Sequence, residues 1–97
     1  MKIGVPSEIK AQESRVGLTP LSVQELTNHG HEVLIQDNAG FGAGFENEDY
    51  QKAGAHIAPT AGDVFNDSDM IVKVKEPQSE EVSMLRENQL LFTYLHL

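Results

Sequence analysis

Residues 19–36 read TPLSVQELTNHGHEVLIQ, and this stretch decides the predicted fold. Thr19 is a favoured N-cap, and Pro20 suits the first helical position because the missing N–H of proline needs no partner there. Gly30 is a natural residue just beyond the end of a helix. The stretch therefore predicts a helix that ends at His29 and is followed at once by a strand rich in aliphatic residues.

The same alternation of strands and helices extends along the chain. The predicted strands are Lys2–Val5, Glu32–Gln36, Ala55–Ala58, Met70–Lys75 and Gln89–Leu97. The predicted helices are Pro20–His29, Asn47–Ala53, a segment from a Thr60 cap to Asn66 and a segment from a Ser79 cap to Arg86. On the first helix, Leu21 and Leu26 are expected to form the apolar side. Short connections between the elements favour a parallel sheet covered by helices. We therefore predict an α/β fold, Rossmann-like (flavodoxin-like), with a mostly parallel sheet flanked by helices.

Length and composition describe one small domain. The chain has 97 residues, of which 39% are hydrophobic and 23% charged, so it can bury a core as an ordinary globular domain does. No apolar run reaches the ~18–20 residues that a membrane-spanning helix requires, and no signal peptide is recognisable. There is no cysteine for a disulfide or a thiolate metal site, and the net charge of −8 disfavours nucleic acid. We therefore expect a cytoplasmic domain with no membrane, nucleic-acid or metal partner.

The glycines of the predicted Asp37–Phe45 loop match a dinucleotide-binding fingerprint only in part. Gly40, Gly42 and Gly44 follow a strand, but the pattern G-x-G-x-x-G would need glycine where Phe45 stands. Glycine tolerates positive φ angles, so we interpret the loop as a flexible turn. No residue of this chain is predicted to bind a cofactor.

Two histidines, His29 and His31, flank Gly30. This spacing allows weak metal binding. A role at the end of the helix is the better interpretation, because histidine near a helix C-terminus complements the helix dipole.

Three residues are expected to meet at the carboxyl edge of the sheet, where ligands bind in open α/β folds. Arg15 follows the first strand, and Lys75 and His96 stand at the carboxyl ends of two later predicted strands. Arginine offers a rigid fork to a carboxylate, lysine a compact charge to a carbonyl oxygen, and histidine exchanges protons near neutral pH. The set predicts a site for a small anionic oxo-acid. In the structural alternative, Arg15 pairs with Glu13, Lys75 pairs with Glu76, and His96 packs in the core.

Four motifs carry a resemblance to a known family. They are MKIGVPSE at 1–8, ESRVGLTP at 13–20, MIVKVKEP at 70–77 and LFTYLHL at 91–97. In that order and at those intervals, they resemble the amino-terminal region of the alanine dehydrogenase and pyridine-nucleotide transhydrogenase family. The resemblance covers essentially all of the chain. Lys-Val-Lys-Glu-Pro around Lys75 and Tyr-Leu-His-Leu around His96 are more similar to the alanine dehydrogenase branch.

The resemblance implies a role for each of the three residues. Arg15 would hold the substrate carboxylate, and Lys75 would contact the substrate oxygen and help polarise the carbonyl of pyruvate. His96 would be the catalytic acid and base. The implied reaction converts L-alanine, NAD and water reversibly to pyruvate, ammonium and NADH. The resemblance leaves Glu13, Glu76 and Tyr94 as supporting residues without assigned roles.

The resemblance also implies what this chain lacks. Family members run to several hundred residues and bind NAD on a separate Rossmann domain. Residues 1–97 are therefore expected to be the N-terminal part of the substrate domain, an incomplete catalytic domain that is inactive alone, without the NAD-binding domain. The full-length parent is expected to be a homo-oligomer, commonly a hexamer. Two alternatives stay open: the matching part of a transhydrogenase or related amino-acid dehydrogenase, and a non-catalytic domain that binds a small ligand.

Overall fold

The computed structural model describes residues 1–94, and the structural statements below refer to that part of the chain. In chain order, its elements are β1 (Lys2–Val5), α1 (Pro20–Asn28), β2 (Glu32–Gln36), α2 (Asn47–Lys52), β3 (His56–Ala58), α3 (Ala61–Asp67), β4 (Met70–Lys73), α4 (Ser79–Val82) and β5 (Leu90–Thr93). A 3₁₀ turn over Phe41–Ala43 lies between β2 and α2.

The described strands form one sheet in the order β3-β2-β1-β4-β5. Their pairings are all parallel, and β1 lies between β2 and β4. The predicted α/β fold with a parallel sheet and flanking helices is thereby confirmed. The order is that of the Rossmann arrangement and differs from the 2-1-3-4-5 order of flavodoxin. The chain builds one side of the sheet from β1 to β3 and then crosses to β4, so the topological switch point lies between β1 and β4.

Apolar side chains pack on both faces of the sheet. Neighbouring residues on a strand point to opposite faces. Val33 and Ile35 of β2 therefore share one cluster with Tyr50 of α2, while Leu34 packs with Phe65 of α3 in a second cluster. Helices α1 and α2 cover the first face and α3 covers the other, which explains why the strands read as nearly continuous aliphatic runs.

Helix α1 is capped at both ends by the residues from which its ends were predicted, Thr19 and Gly30. The Thr19 side chain accepts a hydrogen bond from the Ser22 N–H at 3.2 Å, which caps the first turn. Beyond the helix, the His31 N–H donates to the Leu26 carbonyl at 3.2 Å. Gly30 lies between them with φ at +87°, and the arrangement is a Schellman motif.

In α1, the predicted role of His29 at the helix end is confirmed, and the predicted burial of Leu21 is wrong. Asn28 is the last helical residue and His29 is the C-cap. His29 Nδ1 lies 2.8 Å from the Glu25 carbonyl oxygen, so the helix-end role of His29 is confirmed. The prediction that Leu21 lies on the apolar side is wrong, because Leu21 is 82% exposed. Positions two residues apart on an α-helix are rotated by about 200° around the helix axis. Leu21 therefore lies on the opposite side of α1 from Val23, which is fully buried.

Three predicted elements end earlier than expected, whereas the other bounds agree within one residue. Strand β5 ends at Thr93, so Tyr94 lies outside it, and residues 95–97 of the predicted Gln89–Leu97 strand lie outside the described residues. Strand β4 ends at Lys73 and not at Lys75, because a side chain from elsewhere takes the backbone N–H groups that follow it. Helix α4 ends at Val82 and not at Arg86. The Arg86 guanidinium instead reaches the backbone carbonyls of Phe65 and Ser68, at the end of α3.

The glycine-rich loop also differs from its prediction as a flexible turn. Positive φ occurs at Gly44, at +90°, but Gly40 has an ordinary φ of −92°. At Gly40 the reason for glycine is space, because an added Cβ would lie 2.6 Å from the Tyr50 ring. Gly42 is similarly close to Ser14, at 3.1 Å from its carbonyl oxygen. The loop thus packs against its neighbours as a 3₁₀ turn.

We expect Gly62→Ala to stabilise the domain by about 0.5–1 kcal/mol, because alanine loses less conformational freedom in a helix than glycine does. Gly62 lies in α3, and the nearest atom to an added Cβ is Thr60 Oγ1 at 3.7 Å. The matched control is Gly54→Ala, where φ is +98° and Thr27 Oγ1 would lie 3.0 Å away, so this variant should be destabilised. Urea denaturation checks both, and a loss of stability in Gly62→Ala would contradict the prediction.

Candidate ligand-binding cleft at the switch point

A cleft of about 390 Å³ opens at the carboxyl edge of the sheet. Its walls come from the segments that follow β1, β2, β4 and β5, and they include Arg15, Val16, Ala43, Phe45, Val74 and Tyr94. Ligands of open α/β sheets bind at this edge, beside the switch point. The cleft therefore lies where the topology predicts a ligand, with a cation beside mostly apolar walls.

Arg15 is held by a nearby carboxylate. Arg15 Nε donates to Glu13 Oε2 at 3.0 Å, and Arg15 Nη2 donates to Glu13 Oε1 at 2.8 Å. The Arg15 backbone N–H also donates to Glu13 Oε2, at 2.8 Å. The Arg15 side chain is 65% exposed and that of Glu13 is 4% exposed. A buried carboxylate thus fixes a cation that stays open to solvent.

The Glu13 carboxylate also contacts Lys75, which therefore lies close to Arg15. Lys75 Nζ lies 3.7 Å from Glu13 Oε1, and its side chain is 22% exposed. Arg15 and Lys75 therefore lie together at one rim, as their places after β1 and β4 predict. The Arg15–Glu13 pair of the structural alternative is also present, while Glu76 bonds to Lys10. His96 lies outside the described residues.

Behind the rim lies a buried group of charges that sequence reasoning missed. Glu8 Oε1 accepts from Lys73 Nζ at 2.9 Å, and Glu81 Oε2 lies 3.4 Å from the same nitrogen. The side chains of all three are at most 2% exposed. Lysine is almost never fully buried unless it is paired. Lys73 within the aliphatic Ile71–Val74 run was therefore the signal that could have revealed a buried carboxylate.

Glu8 also sets the backbone beneath Lys75. Its Oε2 accepts from the Val74 N–H at 2.9 Å, and its Oε1 accepts from the Lys75 N–H at 3.1 Å. The Tyr94 hydroxyl, which also lines the cleft, donates to the Gly17 carbonyl, two residues beyond Arg15. The segments that carry Lys75 and Arg15 are thus tied to the rest of the domain by separate hydrogen bonds.

Glu13 has the most perturbed carboxyl of the cleft. Hydrogen bonds from the Arg15 side chain, above all, lower the pKa of Glu13 from 4.5 to about 2, against the opposing effect of burial. The same pairing raises the pKa of Arg15. Because Glu13 is more acidic in the folded chain than in the unfolded chain, its pairing stabilises the fold above about pH 4.5. This contribution is lost as the pH falls through about 2.

The titration of Glu13 is directly measurable. We expect the carboxyl carbon of Glu13 to titrate at about pH 2 in an NMR experiment. Arg15→Ala should move this midpoint back towards 4.5, because it removes the largest cause of the shift. Lys75→Ala is the matched control and should move it less, because Lys75 contributes the smallest cause. A midpoint near 4.5 in the parent chain would contradict the pairing.

The glycine-rich loop and the start of α2 do not fit a pyrophosphate. A pyrophosphate bound after a glycine-rich loop lies at the N-terminus of the next helix, where it gains from the helix dipole. Here that helix is α2, whose first turn carries Glu48 and Asp49. The preceding Glu46 adds a third acid, and its N–H already donates to Asp49 Oδ2 at 2.8 Å. Three acids at this helix start would repel pyrophosphate.

Within 1–94, no group of three or more His, Cys, Asp or Glu side chains is arranged to hold a metal ion. In this described part, no helix is long and apolar enough to cross a membrane.

The fold and the cleft define a parallel α/β domain with a ligand-sized opening at its switch point. Residues 4–97 match the family described as alanine dehydrogenase/PNT, N-terminal domain. The chain therefore belongs to this family.

Individual relatives agree with the family match. The chain is 52% identical over 97 residues to an alanine dehydrogenase of Halomonas elongata and 53% identical to one of Staphylococcus epidermidis. It covers 26% of the length of each. A solved L-alanine dehydrogenase superposes with a TM-score of 0.94 at 54% identity, over 99% of this chain and 26% of the other. A solved transhydrogenase structure from Sinorhizobium meliloti superposes with a TM-score of 0.90 at 29% identity. The superposition covers 98% of this chain and 27% of the other. The chain is more similar to the alanine dehydrogenase branch.

Proposed function

We propose that this chain is the N-terminal, substrate-binding portion of an NAD-dependent L-alanine dehydrogenase. The reaction converts L-alanine, NAD and water to pyruvate, ammonium and NADH, and it is reversible. The observation that supports this most is the placement of Arg15 and Lys75 around Glu13, at the rim of the switch-point cleft. The sequence identity of 52–54% to alanine dehydrogenases, over essentially the whole chain, supports it as well.

In this proposal each cation contacts a different end of the substrate. Arg15 binds the carboxylate through N–H groups that Glu13 does not use, since guanidinium has five donors. Lys75 points its ammonium at the carbonyl oxygen of pyruvate and stabilises the negative charge that develops there. His96, outside the described residues, exchanges protons with the substrate as acid and base.

The remaining parts of the activity lie beyond this chain in the proposal. NAD accepts the hydride and is bound by a separate domain, in keeping with the acidic start of α2. The parent enzyme is a homo-oligomer, a hexamer, and works in the cytoplasm. Its substrates are L-alanine and pyruvate. The matched relatives extend well beyond the chain, which spans 26% of their length, so a complete enzyme needs additional sequence.

A chimera tests the proposal. In the Halomonas elongata alanine dehydrogenase, the residues that align with this chain would be replaced by residues 1–97 of this chain, which are 52% identical to them. We expect the chimera to reduce NAD with L-alanine. Arg15→Ala should lower kcat/KM on the order of 100-fold, because it removes a charge-assisted bond to the substrate. Lys52→Ala, an exposed cation on α2, is the matched control and should leave the rate unchanged.

Two outcomes would count against the proposal. One is a chimera that assembles like the parent enzyme but does not oxidise L-alanine. The other is a chimera whose activity survives Arg15→Ala and Lys75→Ala. A pyruvate titration of the 97-residue chain, followed by amide NMR, adds a second readout. Shifts centred on Arg15 and Lys75 and lost in Arg15→Ala are the expected result.

A further inference from the structure

We infer that Glu8 is a positioning residue for Lys75. Its buried carboxylate fixes the backbone from which the Lys75 side chain leaves, and so sets where the ammonium meets a substrate. The inference rests on the proposed function, because it takes Lys75 to contact the carbonyl oxygen of pyruvate. The Glu8 side chain is 2% exposed and does not line the cleft. Glu8 therefore acts through Lys75 and not by touching the substrate.

Glu8 holds a bend of the backbone directly after β4. In a strand, neighbouring N–H groups point to opposite sides. The N–H groups of Val74 and Lys75 instead both donate to Glu8, at 2.9 Å to Oε2 and at 3.1 Å to Oε1. Successive N–H groups that converge on one anion form a nest, which requires a turn of the backbone. The chain bends over residues 74–75, so the Glu8 carboxylate stabilises the bend that carries Lys75 to the rim.

Lys73 in turn fixes the Glu8 carboxylate. Lys73 Nζ donates to Glu8 Oε1 at 2.9 Å, so one carboxylate bonds to three successive residues, 73–75. The side chains of Glu8 and Lys73 are at most 2% exposed. Water competes poorly for hydrogen bonds in such a buried place, and bonds to charged groups are stronger there. The carboxylate is therefore held in one orientation, and the bend that it stabilises keeps one shape.

Arg15 is positioned by a different carboxylate. Glu13 holds its guanidinium through bonds of 2.8 Å and 3.0 Å, whereas Lys75 Nζ lies farther from Glu13, at 3.7 Å. Loss of the Glu8 carboxylate should therefore displace Lys75 more than Arg15. In the proposed function, Arg15 binds the carboxylate throughout the reaction, whereas Lys75 acts most strongly when negative charge develops on the oxygen. A defect at Glu8 should therefore lower kcat and leave KM for pyruvate nearly unchanged.

The test uses the Halomonas elongata chimera, assayed with pyruvate, ammonium and NADH. Glu8→Gln keeps the size of the side chain but leaves one oxygen to accept where two accepted before. Lys73 remains paired with Glu81 in this variant, so no buried cation loses all its partners. We expect kcat to fall on the order of 10- to 100-fold, because a displacement of about 1 Å has effects of this size. KM for pyruvate should change by less than about twofold.

Glu81→Gln is the matched control. The Glu81 side chain is also 2% exposed, and its Oε2 lies 3.4 Å from the same Lys73 Nζ. Its Oε1 accepts from the Gln78 N–H at 2.9 Å, at the start of α4, whereas the N–H groups of the bend donate to Glu8. The two variants therefore disturb the same buried charges, but Glu8→Gln alone loosens the bend. We expect Glu81→Gln to keep the parent kcat.

A cycle of double variants separates positioning from a merely structural role. If Glu8 acts through Lys75, adding Glu8→Gln to Lys75→Gln should lower kcat by less than about twofold more. A general defect would lower kcat by the same factor in both backgrounds. Glu8→Asp keeps the charge and both oxygens but shortens the side chain. It is taken through the same cycle, where it should give the same pattern even if Glu8→Gln does not assemble.

The results distinguish this inference from the proposed function. An active chimera whose kcat survives Glu8→Gln or Glu8→Asp would overturn the inference and leave the proposed function standing. An equal fall of kcat in Glu81→Gln, or in the Lys75→Gln background, would overturn the inference as well. If the assembled chimera without further substitutions does not reduce pyruvate, the proposed function fails, and the inference fails with it.

Discussion

Lys73→Met should destabilise the domain by about 3–5 kcal/mol, one of the two largest effects that we expect. The substitution keeps the length of the side chain but removes the cation that Glu8 and Glu81 share. Two carboxylates would then be left in a region that is at most 2% exposed. A buried charge without a partner is far more unfavourable than a broken pair at the surface. Chemical denaturation of the two chains measures the difference.

Lys10→Met is the matched control, because it breaks a pair with Glu76 that is about half exposed. We expect it to lower the stability by less than ~1 kcal/mol. Adding Glu8→Gln to Lys73→Met should reduce the total stability by less than the sum of the single variants, because the two residues form one network. Equal effects of Lys73→Met and Lys10→Met would contradict the structural account of the buried charges.

Gly17→Ala should destabilise the domain by about 3 kcal/mol and should also abolish binding at the cleft. An added Cβ would lie 2.5 Å from the Val72 carbonyl oxygen and 2.9 Å from its carbon. Both atoms belong to the backbone of β4, so no side chain can rotate away. The segment that carries Arg15 would have to move from the sheet, and the Tyr94 bond to the Gly17 carbonyl would be lost. Denaturation and a pyruvate titration measure the two effects.

Gly30→Ala provides the control for backbone strain. Gly30 has a positive φ of +87°, but nothing lies within 4 Å of an added Cβ. Its substitution should be unfavourable by about 1–2 kcal/mol and should leave the cleft unchanged. Pyruvate binding that survives in Gly17→Ala would show that the Arg15 segment does not depend on its close contact with β4.

Local signals in the sequence predicted most of the fold. Thr19, Pro20 and Gly30 act within α1 and its ends, so their neighbours are sufficient to position them. The exposed Leu21 was misplaced because a leucine near the start of a helix does not by itself reveal which face is buried. The end of β4 was misplaced because the N–H groups of Val74 and Lys75 bind a carboxylate 66 and 67 residues away.

The candidate cleft was predicted in part for the same reason. The rule that ligands lie at the carboxyl ends of parallel strands placed Arg15 and Lys75 at one edge without any knowledge of side-chain contacts. Their common partner Glu13 could not be derived from that rule, because the rule says nothing of which acid points inwards. The buried Glu8–Lys73 pair joins residues 65 positions apart and depends on tertiary structure.

The Glu8 carboxylate also ties the cleft to contacts between distant parts of the chain. Its bonds join the eighth residue to residues 73–75, so they require closure of the same long loop as the pairing of β1 with β4. Contacts between distant parts of a chain form slowly, because loop closure must precede them. The rim that carries Lys75 therefore depends on tertiary contacts and is not a local motif. Ligand binding at this rim would report that the sheet is complete, and it would stabilise the domain as a whole.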